Sequence, residues 1–333
     1  MSAGAPTDLL GTPGTGLEPV GAEEAAITAR SPLQLFWRRL RRDKVAMTAL
    51  VFIALLVLTA LLAPLVVAIF GAPDPYATDR TTLDEFGLPA TKNGAGAFSE
   101  NHLFGVDQLG RDVFSRTVYG ARISLEVAFI ATAISVVVGV TVGMIAGYYR
   151  GWVDSALSRF MDVQLAFPVL LLAVGLGAAC SIEGCFGGLI TPGLPVVIFV
   201  ISLAQWPYMA RIIRGQVLSL REKEFIEAAK SVGASDRRII FREILPNLVA
   251  PIIVYSTVLI PTNILFEAAL SFLGVGVQPP TPSWGDMISE ATDIFDIAWW
   301  FMFFPGMALL FTVLAFNLIG DGLQDALNPR SSK

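Results

Sequence analysis

EAAKSVGASDRRIIFREILPN, from Glu227 to Asn247, is too polar to lie in hydrocarbon and too regularly patterned for a flexible linker. With the residues just before it, the stretch predicts two short helices. The first, Arg221 to Ser231, sets Phe225, Ala228 and Ala229 among Glu222, Lys223, Glu224 and Glu227. Gly233 then supplies a break at which a side chain would be costly. Ser235 can cap a second helix, which carries Arg237, Arg238 and Arg242 and leads through Ile244, Leu245 and Pro246 into a long apolar run. The paired alanines let another protein approach closely, and Glu227 sets an acid beside them for an arginine of that partner. A partner-docking loop and a solvated helical hairpin both fit this pattern.

The apolar run after the loop is one of six. They extend roughly from Ala46 to Phe70, Val127 to Gly147, Val163 to Ile182, Thr191 to Ala210, Ile244 to Phe266 and Ile297 to Gly320, and none contains Asp, Glu, Lys or Arg. Each is about 20 residues long, enough for a helix to cross ~30 Å of hydrocarbon. The whole chain of 333 residues is 54% hydrophobic and only 15% charged, with a mean hydropathy of +0.65. Soluble domains carry about 25% charged residues, so the composition excludes a soluble enzyme and predicts an all-α, polytopic membrane protein. With a cytoplasmic N-terminus, 18 of the 23 Lys and Arg fall on the inner side and only Arg80, Lys92, Arg111, Arg116 and Arg122 on the outer. The positive-inside rule therefore sets both ends in the cytoplasm.

Residues 1–31 lack the apolar core of a signal peptide and are rich in Gly, Ala, Thr and Pro, which predicts a disordered cytoplasmic tail. Residues 32–44 mix Leu33, Leu35, Phe36, Trp37 and Leu40 with basic residues, as an interfacial helix or a solvated topogenic flank would. The first span takes 45–70. An outer loop follows over 71–122, turn-rich at first, then patterned from Asp107 to Leu125 as a helix lying along the membrane surface. The remaining five spans occupy 123–320, with the inner loop at 211–246 and a short tail at 321–333. Gly139, Gly143 and Gly147 repeat a small-xxx-small spacing that lets a helix of this chain or of another subunit pack closely.

Few residues suggest chemistry. Cys180 and Cys185 flank a short outer loop and either form a small disulfide ring or stay buried and free. Two thiols and a distant His102 make a poor zinc site, so no metal is expected. His102 lacks a nucleophile arrangement and reads as a surface or interfacial residue; no catalytic constellation emerges. Gln205 and Asn263 either line a pathway or hydrogen-bond between helices. Glu267 would face an outer mouth, sit as a water-exposed helix-end carboxylate or join an internal ion pair, while Asp162 would pair near Arg159 and Arg150.

The stretch from Glu227 to Asn247 resembles the EAA loop of permease subunits in ATP-binding-cassette importers, through Glu227, Ala228, Ala229, Gly233, Leu245, Pro246 and Asn247. FWRRLRRDKVAMTAL, LFGVDQLGRDVFSRTVYGARISL, SFLGVGVQPPTPSWGDMI and FNLIGDGLQDALNPR resemble other segments of the dipeptide and oligopeptide permeases, and the extended N-terminus resembles the C-type subunit. Glu243 departs from the histidine usual there. The resemblance implies a type I importer permease fold in the bacterial cytoplasmic membrane. It implies ATPase coupling through Glu227, Ala228, Ala229, Gly233, Arg237 and Pro246, and a substrate pathway near Gln205, Asn263 and Glu267. The implied partners are a second permease, one or two ATPase subunits holding ATP and Mg, an extracytoplasmic binding protein and membrane lipid, with no nucleic acid. Di- or oligopeptides are the implied substrate, with nickel complexes as the alternative. No Lys follows a Gly, so the chain lacks a Walker A loop and is not itself the ATPase. An ion-coupled secondary transporter would call for broken helices or buried carboxylates, and the plainest interruption is Pro168. A non-transporting scaffold would need no coupling helix.

Overall fold

The computed structural model describes residues 32–89 and 102–327. The expected tail over 1–31, part of the outer loop and the last six residues lie outside the described residues. Among the described residues only isolated bridges interrupt the helices and loops.

Two helices open the chain, α1 over Pro32–Leu40 and α2 over Lys44–Leu61, followed by the short α3 over Ala63–Ile69. Asp43 starts α2 by accepting hydrogen bonds from the backbone amides of Val45 and Ala46 at 2.9 and 3.1 Å. The next helix, α4, runs unbroken over Val113–Tyr148 and is capped by Asp112, whose side chain accepts from Ser115 N at 2.7 Å. At 1.5 Å per residue it is about 54 Å long, well beyond a ~30 Å hydrocarbon layer. The expected surface helix at Asp107–Leu125 is therefore not a separate element. From Val113 onward it is the first three turns of α4, with Val113, Arg116 and Leu125 buried.

The third apolar run is also corrected. It divides between α5, Trp152–Ala166, and α6, Val169–Cys180, whose axes meet at 84°. Pro168 explains the bend: its ring drives the preceding residue out of the α region, and Phe167 is extended at ψ 136°. Then come α7 over Leu194–Leu220, α8 over Glu224–Ser231 and the three-residue α9 over Asp236–Arg238. A π-helical turn at Ile239–Ile244 joins α9 to α10, Leu245–Phe272; α11 spans Trp284–Ala291 and α12 Trp299–Leu327. Among the described residues five helices are long and apolar enough to cross a membrane, and six spans result if the bent α5–α6 pair is counted as one. The last helix continues seven residues past Gly320, into the region expected to be tail.

The glycine stripe of α4 packs within this chain. A Cβ on Gly139 would lie 2.6 Å from the Met209 side chain, on Gly143 2.6 Å from Ala210 O, and on Gly147 2.7 Å from Val217. All three partners belong to α7, so α4 and α7 meet almost backbone to backbone. Around this pair, α10 and α12 pack together and α2 leans on α12, with Ile53, Ile264, Ala315 and Phe316 sharing one core. At one end of the bundle Leu40 and Ala46 meet Ala326, and Tyr148 meets Asp236; at the opposite end lie α11 and the loops entering α4 and α7.

Candidate functional site

At the first of these ends the connection between α7 and α10 is folded tightly onto the bundle. On α8, Ile226 is fully buried against a cluster containing Val217, Ile239 and Ile244. The helix ends in a paired hydrogen-bond pattern, Ala234 N to Ala229 O at 3.0 Å and Gly233 N to Lys230 O at 2.9 Å. That closure requires a left-handed residue, supplied by Gly233 at φ +82°. Open space surrounds the missing Cβ, so the glycine is needed for its backbone angle. Ser235 precedes α9 as expected, but its hydroxyl caps nothing.

The outward face of α8 carries Phe225 and Val232, which are 41% and 89% exposed, with Glu227 and Ala228 exposed between them and Ala229 half-buried. Arg237 and Pro246 are exposed beyond the turn. Glu243 is half-buried, and its carbonyl accepts from Asn247 Nδ2 at 2.7 Å.

Three residues not singled out from sequence hold this surface in place. Arg221 Nη1 donates to the carbonyls of Gly147 and Tyr148 at 3.1 and 2.8 Å, capping the end of α4. Tyr148 in turn donates its hydroxyl to Asp236 Oδ1 at 2.7 Å. An arginine ending one helix beside a long loop was the available signal; the matching carbonyls lie more than seventy residues earlier.

The three pathway candidates are all interior. Gln205 is 5% exposed, and Asn263 and Glu267 are fully buried. Asn263 Nδ2 donates to Thr132 Oγ1 at 2.8 Å, joining α10 to α4. Glu267 is neither a water-facing end carboxylate nor an ion-pair member. Its oxygens accept from Ser271 Oγ at 2.8 Å and Ser124 Oγ at 2.9 Å, replacing lost hydration with hydroxyls. Asn263 and Glu267 thus join helices through buried hydrogen bonds, as polar side chains between spans do. Asp162 binds Arg211, not Arg159 or Arg150; Arg150 binds Glu222, and Asp154 takes Arg214 through both oxygens.

The opposite end is dominated by buried charge. Asp107 accepts from Arg111 Nε at 2.6 Å, and Glu290 of α11 accepts from Arg111 Nη2 at 2.7 Å. Arg116 lies between the same two acids at 3.5 and 3.4 Å. His102 is buried, not superficial, with Nδ1 2.9 Å from Asp112 Oδ1. Trp284 is fully buried and donates from Nε1 to Thr117 O at 3.0 Å, so the proline-flanked tryptophan is a core anchor. Cys180 and Cys185 form a disulfide, and Cys185 exchanges two backbone hydrogen bonds with Ile190.

Both the bundle and its exposed loop match known proteins. Residues 139–333 match the binding-protein-dependent transport system inner membrane component family, and residues 31–89 match the N-terminal TM domain of oligopeptide transport permease C. The chain is 41% identical to the dipeptide transport system permease protein DppC of Alkalihalophilus pseudofirmus, over 92% of its own length and 93% of that protein. It is 43% identical to the glutathione transport system permease protein GsiD of Escherichia coli, over 90% and 91%. A solved structure of the inward-facing MetNI methionine ABC transporter shares the fold, with a TM-score of 0.53 at 19% identity; the likeness covers 64% of this chain and 96% of that one. The chain belongs to the inner-membrane permease components of binding-protein-dependent transport systems. It is thus a multi-pass membrane protein with a type I importer permease fold.

Proposed function

We propose that the chain is a pathway-forming subunit of an ATP-driven importer of short peptides, and that α8 is the helix through which ATPase closure moves the spans. The observation that carries this is the rigid presentation of an exposed patch, Phe225, Glu227, Ala228 and Val232, on a helix pinned by Ile226, Gly233 and Arg221. A helix that transmits force must be stiff toward its own bundle and open toward its partner. Coupling depends on a difference in contact between the closed and open ATPase, not on tight docking as such. Arg237 and Pro246 would form the rim of that surface.

The peptide reading rests on relatives that carry dipeptides and glutathione; nickel complexes are the alternative. A second permease, one or two ATPase subunits with ATP and Mg, and an extracytoplasmic binding protein would complete the machine. Purification from the native membrane in mild detergent, followed by mass spectrometry, should recover those three. Recovery of this chain alone after cross-linking would overturn the reading.

Glu227 is exposed, so Glu227→Arg should insert normally and yet lose most uptake while leaving the ATPase uncoupled. Gly233→Pro should do the same, because proline cannot reach φ +82°. Normal uptake by either variant at equal membrane level would refute the role of α8.

A further inference from the structure

We propose that Asp286 is a proton-binding site, whose occupancy tightens the attachment of α11 to the segment that enters α4. Among the described residues, Arg111 and Arg116 are matched by Asp107 and Glu290, which supply every acidic contact within 3.5 Å of the two guanidiniums. Asp286 lies one turn before Glu290 on α11, so both carboxylates share a face of the helix. It is the supernumerary acid.

Among the described residues it has no ion-pair partner, and only the longer-range fields of Arg116 and Arg111 favour its charge. Asp286 is 8% exposed, and its Oδ2 is buried without a hydrogen-bond partner. Arg116 is fully buried, and its Nε and Nη1 likewise make no hydrogen bond. Ionised, Asp286 gives the cluster one excess negative charge away from water, where it is expensive. Protonated, it leaves two cations facing two anions.

The groups facing Asp286 come from each packed element: Glu290 on α11, Arg116 on α4, Arg111 just before α4 and Glu267 on α10. Burial, then Glu290, pushes the Asp286 carboxyl up to about 6; Arg116 and Arg111 oppose the shift, and Glu267 adds to it. Because the folded value is raised, the stabilisation is complete below the ordinary value of 3.8 and is lost as pH rises through about 6. An acidic exterior would therefore hold α11 firmly and a neutral one would loosen it. The inference is independent of the proposed peptide substrate and of the role of α8.

Hydrogen exchange of the full-length chain in lipid nanodiscs tests this. After correction for the chemical exchange rate, amides of 284–291 should be about tenfold better protected at pH 5 than at pH 7.5. Asp286→Asn should flatten the dependence and Asp286→Glu should restore it. Asp286→Ser serves if the asparagine variant fails to insert, with the same expectation. Equal protection of the wild type at the two pH values would overturn the proposal, and so would a pH dependence that persists without the carboxyl.

Discussion

Gly143→Leu is expected to abolish accumulation of folded chain in the membrane. A Cβ at this position meets Ala210 O at 2.6 Å, Ile213 Cβ at 2.9 Å and Arg214 N at 3.1 Å. Two of these neighbours are backbone atoms of α7, which cannot rotate aside as a side chain can. Accommodation requires moving α7, and with it Ile213 and Val217, which anchor the cluster beneath α8. Overpacking a tight core costs roughly 1–3 kcal/mol, the range expected for Gly143→Ala; leucine adds three more heavy atoms to the same space. Gly215→Ala is the control, since nothing lies within 4 Å of the added Cβ and alanine favours a helix by about 1 kcal/mol. Size-exclusion profiles and thermal melting of tagged variants in detergent give the answer. Equal stability of Gly143→Leu and the wild type would mean that the two helices do not meet as described.

The same glycines show what the sequence could and could not convey. Their four-residue spacing announces a close helix contact, because small residues on one stripe have little other use there. It does not name the partner: the complementary surface of α7 is built from Met209, Ala210, Ile213 and Val217, an unremarkable apolar run. Helix ends were legible only where a residue type forces them. Gly233 and Pro168 mark their breaks at the right positions, the first by backbone angle and the second by ring geometry. The inner end of α7 was missed because hydropathy stops at Arg211, whereas the helix continues to Leu220 with Arg211 and Arg214 paired to Asp162 and Asp154.

Buried polar residues were the hardest to read. A carboxylate or amide in an apolar segment signals a hydrogen-bonded partner or a ligand with equal force. Glu267 has one partner four residues on, Ser271, which periodicity allows, and a second 143 residues back, Ser124, which it does not. A buried carboxylate and a broken helix are also what a secondary transporter would show, and both are present here. Family membership sets that reading aside: residues 139–333 match the inner-membrane component family, and two relatives above 40% identity cover about nine tenths of the chain. For Asp107, Arg111 and Arg116, amphipathic spacing pointed to a membrane surface. The missing fact was Glu290, 179 residues after Arg111, which turns a solvated stripe into a buried cluster.

That cluster carries the second large prediction: Arg111→Met destabilises the fold by about 3–5 kcal/mol, the cost of stripping one partner from a buried ion pair. Arg111 makes two short, charge-assisted bonds, 2.6 Å to a fully buried Asp107 and 2.7 Å to Glu290. Burial opposes its charge, but the two carboxylates outweigh that opposition and hold its pKa above the ordinary arginine value. Removing it leaves Asp107 and Glu290 to share Arg116, at contacts no shorter than 3.4 Å. Arg116→Met should cost clearly less, because it gives up only those long contacts and two nitrogens that already lack hydrogen-bond partners. Methionine roughly preserves the volume in both cases, so the difference isolates the hydrogen bonds. If Arg116→Met proves as damaging as Arg111→Met in thermal melts, the stabilisation comes from total charge and not from the paired geometry. Adding Asp107→Asn to Arg111→Met should recover part of the loss, since the asparagine removes a buried carboxylate that Arg111 had neutralised.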